Sequence, residues 1–241
     1  MTGEGNIWIL GDSHVGLSAG DEKKMLAWID RLETRKPRML LLNGDVFHYY
    51  IGEPKFITPA VESFLARLKA LRDGGVEVVW VEGNRDFFVR GSAAERAVSR
   101  VEDSLEIAAG AVRYFIIHGD LINDHDLPYR FWRAASKNFV TRTGVKLVPR
   151  GIARRFVDGV ERKLASSNFK HKLRLPVEQM ERFGTARRKD GYDVVVFGHF
   201  HHKHIIEPNG TAKVIVLPAW FDGGEALVID SSTGEHWFEV P

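Results

Sequence analysis

The side chains best suited to chemistry fall in five short strings. Asp12 and His14 flank Ser13 in Gly11-Asp12-Ser13-His14, and His199 and His201 flank Phe200 in Gly198-His199-Phe200-His201. Between them come Gly44-Asp45, Gly83-Asn84-Arg85-Asp86 and His118-Gly119-Asp120. Residues two apart in an extended segment point to one side, so Asp12 with His14, and His199 with His201, are each expected to aim together. Glycine before Asp45, Asn84 and His199 lets the backbone turn sharply there. Carboxylate, imidazole and amide oxygen, with no sulfur, suit Mn, Fe, Zn or a similar divalent ion. The chain has no cysteine. That excludes thiolate ligands, iron–sulfur clusters, disulfides and cysteine nucleophiles. Taken singly, each string is weak, since a Gly-Asp after a strand is usually a turn. The signal is the order of all five, each behind an apolar run.

Those runs are what must position the strings. Ile7–Leu10, Met39–Leu42, Val76–Val81, Val112–Ile117, Val194–Phe197 and Val214–Leu217 are short, rich in Val and Ile, and bounded by turn residues; Ala226–Ile229 and Trp237–Val240 follow. Each reads as a strand. Met25, Trp28, Ile29 and Leu32, and then Val61, Leu65, Leu68 and Leu71, recur at helical spacing between the early runs. Strand–helix–strand alternation predicts an α/β fold with helices packed on sheets. In such sheets, loops at the carboxyl ends of the strands share one edge, so the five strings are expected to converge. With 44% hydrophobic and 27% charged residues, 241 residues suffice for one large domain, or one domain carrying an insertion.

From about Asp126 to Arg187 the strand pattern stops. Phe131, Ala135 and Phe139 recur every four residues, and Ile152, Phe156, Val160 and Leu164 do so again. This predicts amphipathic helices, basic on the outer face, inserted as a cap over the α/β body. Arg130 to Arg174 holds 13 Lys and Arg against 2 Asp and Glu, while the whole chain carries only +2. An acidic body with one basic segment predicts an anionic partner, though a solvated helical face gives the same pattern. No run approaches 18 apolar residues, so no membrane-spanning helix is expected. The start, MTGEG, has no basic n-region, so no signal peptide is expected and the default compartment is the cytoplasm.

As an ordered set, from Asp12 to His201, the five strings resemble the calcineurin-like metallophosphoesterases. The resemblance implies a four-layer α/β sandwich, two sheets flanked by helices, with a dinuclear metal centre. It implies that Asp12, His14, Asp45 and His201 hold the first ion. Asp45 would bridge to a second, completed by Asn84, His118 and His199. Manganese is the expected ion, with Fe, Zn, Co and Mg compatible. Gly83–Phe87, Gly44–Gly52, His118–Asp120 and the helical insertion narrow the likeness to the UDP-2,3-diacylglucosamine diphosphatases of lipid A synthesis. That group hydrolyses its substrate to lipid X and UMP. Ser13 stands where that group usually has leucine, and Phe200-His201-His202 where Thr-His-Arg-Pro is usual.

Further roles follow from the likeness. Asn84, Arg85 and His118 would act on the reacting phosphate; a guanidinium at Arg85 can make paired hydrogen bonds to it. An ion pair of Arg85 with Asp86 or Asp120 is the alternative. Tyr129 would contact substrate, and Arg154, Arg155, Lys163, Asn168, Lys170 and Lys172 are the candidates for cap contacts to phosphate. Apolar residues interleaved with these cations, among them Phe131, Trp132, Phe139, Leu147, Ile152 and Phe156, suit either an interfacial helix on an anionic membrane or packing onto the body. The implied partner is an anionic lipid-linked UDP-sugar, and the implied place the cytoplasmic face of the inner membrane. Two other readings share the residues: a soluble nucleotide pyrophosphatase or phosphodiesterase, and a binding scaffold without turnover. No repeated aromatic platform favours nucleic acid.

Overall fold

Each of the eight apolar runs forms a strand, and the strands separate into two sheets. The computed structural model describes residues 5–123, 127–152, 155, 175–207 and 210–241. In chain order these residues form β1 (Asn6–Gly11), α1 (Asp21–Thr34), β2 (Met39–Asn43), β3 (Tyr50–Ile51), α2 (Pro59–Asp73), β4 (Glu77–Val81), β5 (Asp86–Phe87), α3 (Ala93–Ala97), β6 (Arg100–Glu102), β7 (Ser104–Ala109) and β8 (Val112–Ile117). There follow α4 (Leu127–Ser136), α5 (Phe139–Leu147), α6 (Val177–Lys189), β9 (Val194–Phe197), β10 (His204–Ile206), β11 (Lys213–Val216), β12 (Ala226–Asp230) and β13 (His236–Glu239).

The first sheet runs β13-β12-β1-β2-β4-β6 and the second β10-β11-β9-β8-β7; β3 and β5 form a separate pair. Within the first, β1, β2, β4 and β6 are parallel; within the second, β8, β9 and β11 are parallel. Apart from the edge strand β6, which carries Arg100 and Glu102, these strands are largely buried on both faces, so they read as continuous apolar runs rather than alternating ones. Alternate residues serve different layers. Ile7, Ile9, Leu41 and Val79 face Ile116, Val196 and Ile215 between the sheets. Trp8, Leu10, Leu40 and Trp80 pack outward against Met25, Trp28 and Leu32 of α1 and Phe64 and Leu68 of α2. Val195, Phe197 and Val214 pack outward against Met180 and Phe183 of α6. The result is helix, sheet, sheet, helix, as the family resemblance implies. Local signals agree: Thr58 caps α2 by accepting from Val61 N, with Pro59 in the first turn.

The helices after β8 depart from expectation. Phe131, Ala135 and Phe139 do not share one helix. Asn138 accepts from Thr141 N and starts α5 afresh. The apolar side of α4 and α5 faces outward: Phe131 is 77% exposed, Phe139 80%, Val140 77% and Leu147 80%. The basic side faces the body. Arg133 pairs with Asp120, Lys137 with Glu82, and Arg142 and Lys146 with Glu53. Lys55 in turn donates to the C-terminal carbonyls of α5, Val145 O and Val148 O. A basic outer face was therefore the wrong assignment for these two helices. The acids of the body explain it: cations desolvated against carboxylates are held more firmly than cations in water.

Candidate metal centre

All five strings sit where parallel strands end, on one edge shared by both sheets. Asp12, Asp45 and Asn84 follow β1, β2 and β4, whose last residues lie side by side in register. His118 and His199 follow β8 and β9 of the other sheet. Asn43 ties the two edges together. Its Nδ2 donates to Ile117 O at 3.2 Å, and its carbonyl accepts from His118 Nδ1 at 3.0 Å. Gly44 and Gly83 allow the β2 and β4 loops to touch. A Cβ on Gly44 would stand 2.3 Å from His118 Nδ1, and one on Gly83 2.4 Å from Asp45 N.

The loops are not extended. Asp12, His14, Asp45, His199 and His201 have φ between 43° and 66°, and they are five of the seven non-glycine described residues with positive φ. Each such residue costs on the order of 1–3 kcal/mol, and such strain collects at functional sites. The same-side argument for Asp-x-His and His-x-His therefore fails. His199 and His201 diverge, one to each half of the cluster.

In one half, His14 Nε2 is 3.2 Å from His201 Nε2, and Asp12 Oδ1 is 3.2 Å from His201 Nε2 and 3.8 Å from His14 Nε2. In the other, Asn84 Oδ1 is 3.1 Å from His118 Nε2 and 3.0 Å from His199 Nδ1. Asp45 spans them, Oδ2 3.9 Å from His14 Nε2 and Oδ1 3.5 Å from His118 Nε2. Ligands about 2.0–2.2 Å from one ion stand roughly 3 Å apart or a little more when adjacent, and the observed spacings match. Asp12 Oδ1 is buried without a hydrogen bond. Because His118 Nδ1 donates to a carbonyl, Nε2 is the ring nitrogen turned toward the oxygens of Asn84 and Asp45. Burial opposes its protonation, but Asp45 and Asp12 outweigh burial and raise its pKa, so an ion bound there would displace a proton. Lone pairs converging in a buried place are what a divalent cation accommodates.

Charge states agree. Burial pushes the His14 imidazolium down to about 3, leaving a neutral ring with a free lone pair. Burial alone would raise Asp12, but His201, His118 and His14 hold it below the usual carboxylate range. Burial likewise opposes ionised Asp45, and His118 and His14 outweigh it.

A family model for calcineurin-like phosphoesterases matches residues 5–203. The chain belongs to that family. The UDP-2,3-diacylglucosamine hydrolase of Vibrio parahaemolyticus is 24% identical over 226 residues, spanning 92% of this chain and 93% of its own. That of Stenotrophomonas maltophilia is 28% identical over 205 residues (80% and 82%), and that of Xanthomonas axonopodis pv. citri 29% over 221 (85% and 87%).

Around the centre of this phosphoesterase, Arg85 does not follow either expectation alone. Its Nε lies 3.6 Å from Asp45 Oδ2 and its Nη1 donates to His48 O at 3.0 Å. It borders the cluster, paired with an acid that the sequence reading did not weigh. Tyr129 donates to Asp120 Oδ2 at 2.8 Å, which also accepts from Arg133 Nε. Arg155 is exposed. Arg154, Lys163, Asn168, Lys170 and Lys172 lie outside the described residues.

Sequence reasoning missed three contributors. Asp86 is fully buried, and its Oδ2 accepts from Asp45 N, Gly83 N and Trp80 Nε1 at 2.9, 2.8 and 3.2 Å, clamping two ligand loops. Asn43 closes β2 yet joins the sheets. The Phe221 ring centre stands 5.7 Å from that of His14 and 5.4 Å from that of His201, walling that side. The Gly-Asn-Arg-Asp string was the available signal for Asp86; nothing local marks Phe221.

Proposed function

We propose that this chain hydrolyses the diphosphate of UDP-2,3-diacylglucosamine, releasing UMP and 2,3-diacylglucosamine 1-phosphate (lipid X), with two divalent ions, of which manganese is the expected one. The observation that carries it is the convergence of Asp12, His14 and His201 in one set and Asn84, His118 and His199 in another, with Asp45 spanning the two, in a phosphoesterase fold. The names of the relatives support the substrate. Asp12, His14, Asp45 and His201 would hold one ion, and Asp45, Asn84, His118 and His199 the other. Such ions supply Lewis acidity to phosphoryl oxygens and lower the pKa of a bound water toward about 7.

The chain's own residues do the rest. Neutral His14 and ionised Asp12 and Asp45 keep their lone pairs available. Only two carboxylates enter the set, so a loaded centre stays net positive and draws an anionic substrate. Arg85, partly exposed beside Asp45, is placed to exchange His48 O for a phosphate oxygen and offset charge in the transition state. Asn84 and His118 fix the far side of the reacting phosphate, Tyr129 lines the approach, and Arg154, Arg155, Lys163, Asn168, Lys170 and Lys172 are kept as the cap's phosphate contacts.

The chain is read as a single domain with an inserted cap that starts at about 126; the expected span of 126–187 is too long at its end, because α6 packs on the second sheet and belongs to the body. Among the described residues no helix is long and apolar enough to cross a membrane. Instead, Leu127, Phe131, Phe139, Val140 and Leu147 present an exposed apolar side on α4 and α5. That suits a helix pair lying in the headgroup region, with the enzyme peripheral on the cytoplasmic face of an anionic inner membrane. The test is turnover of UDP-diacylglucosamine against UDP-glucosamine in labelled water. Acyl chains are worth about 0.8 kcal/mol per buried methylene, so the deacylated substrate should be far worse, with label entering UMP. Equal turnover of the two, or label in the sugar phosphate, overturns the assignment.

A further inference from the structure

The start of the cap does more than cover the centre. Tyr129, Arg133 and Lys137 recur every four residues and so share one face of α4 and its last turn, where Lys137 N still donates to Arg133 O. That face meets two ligand loops. Tyr129 and Arg133 both bind Asp120, two residues beyond His118. Lys137 Nζ donates to Gly83 O, the carbonyl immediately before Asn84, from a side chain only 12% exposed. Glu82 stands 3.8 Å from the same ammonium, and the Phe87 ring centre 5.8 Å from it. The opposite side of Gly83 is held by Asp86, which accepts from Gly83 N at 2.8 Å. Gly83, the residue before Asn84, is thus held at its N–H by Asp86 from the body and at its carbonyl by Lys137 from the cap. The contacts of Tyr129, Arg133 and Lys137 with the ligand loops fall on those of His118 and Asn84.

We infer that Lys137 is a positioning residue that couples the cap to the Asn84–His118–His199 half of the metal centre, so that docking of α4 sets the affinity of that half alone. This rests on the dinuclear reading above. It predicts that metal uptake and cap docking are linked: whatever loosens α4 weakens one ion and spares the other, and filling that half tightens the cap. A salt bridge serving the fold alone would show no such asymmetry.

The test is a Mn²⁺ titration by calorimetry on the full chain. Lys137→Met should leave one ion with wild-type affinity and weaken the other about tenfold or more. Lys137→Arg, which keeps a cationic donor, should restore most of it. Arg142→Met breaks the Glu53 pair at the far end of the same two helices, and should leave both affinities unchanged. If Lys137→Met lacks the native circular dichroism spectrum, Lys137→Gln replaces it, since the amide is polar beside Glu82 but too short to reach Gly83 O. Two wild-type ions with an unaltered Lys137→Met isotherm, or two ions weakened equally, overturn the inference. A wild-type chain that takes up only one ion overturns the dinuclear reading and this inference with it.

Discussion

Asp86 should make the metal-free protein more stable as the solution turns mildly acidic. Burial, then the neighbouring charge of Asp45, raises its pKa from 3.8 to about 6. A carboxyl raised on folding binds its proton more tightly in the native state. Its contribution is therefore fully present below about pH 4 and lost as pH rises through 6. At 1.36 kcal/mol per unit, the shift amounts to about 3 kcal/mol. His14 works oppositely. Its pKa is lowered to about 3, so stability falls as pH drops from about 6.5. Raw pH curves mix the two, and a difference isolates Asp86. Asp86→Asn keeps an oxygen for Asp45 N, Gly83 N and Trp80 Nε1 but cannot ionise. Its amide nitrogen takes the place of Oδ1, which is buried without a partner, at a cost of about 1–2 kcal/mol. Urea unfolding after chelation, from pH 4 to 7.5, should show the Asn variant gaining on wild type by about 3 kcal/mol toward neutral pH. Added Mn²⁺ should shrink that gain, because it offsets the Asp45 charge. Asp86→Ala strands three buried donors and should lose at least about 3 kcal/mol. A wild-type-minus-Asn difference that is flat with pH would refute the reasoning.

Three further outcomes are expected. Asp45→Ala removes the residue that spans both halves of the cluster, so elemental analysis should find neither ion retained and turnover abolished; two ions retained per chain would unseat the ligand assignment. Arg85→Ala should lower turnover tenfold or more, a loss of about 1.4 kcal/mol in transition-state binding, with the melting temperature nearly unchanged; equal losses in stability and rate would show that the Asp45 and His48 contacts serve the fold. Phe131→Ser with Phe139→Ser should reduce co-sedimentation with anionic vesicles while leaving stability within about 0.5 kcal/mol, as for exposed sites generally; unchanged sedimentation would count against the membrane face.

The central strands were legible because burial on both faces leaves nothing polar in them. The strand β7 was legible too, and was overlooked: Leu105, Ile107 and Ala109 are buried while Glu106 and Ala108 are exposed, an alternation that a search for unbroken apolar runs passes over. The edge strand β10 carries mostly exposed residues and gave no such signal. The ligand residues were right, but for a mistaken reason. Same-side alternation supposes extended backbone, whereas left-handed turns set Asp12, His14, His199 and His201. The orientation of α4 and α5 could not be read. A helical period locates a basic stripe and an apolar stripe, but which one meets the body depends on Glu53, Glu82 and Asp120, set by the fold and not by neighbours in sequence.

The place of β1 in its sheet bears on how the protein is born. It emerges first yet ends between β2 and β12, whose residues arrive last but for β13. His14 likewise awaits His201. A nascent chain can build β1, β2 and β4 with α1 and α2, but one flank of β1 stays open until β12 has been synthesised, and the metal ligands stay divided until His201 has. Such distant pairings are slow to form and leave sticky edges meanwhile. Truncation after β11 would therefore be expected to give an aggregating chain, not a smaller enzyme. Ion capture becomes an event that follows synthesis of His199 and His201 and cannot guide the earlier folding of β1, β2 and β4.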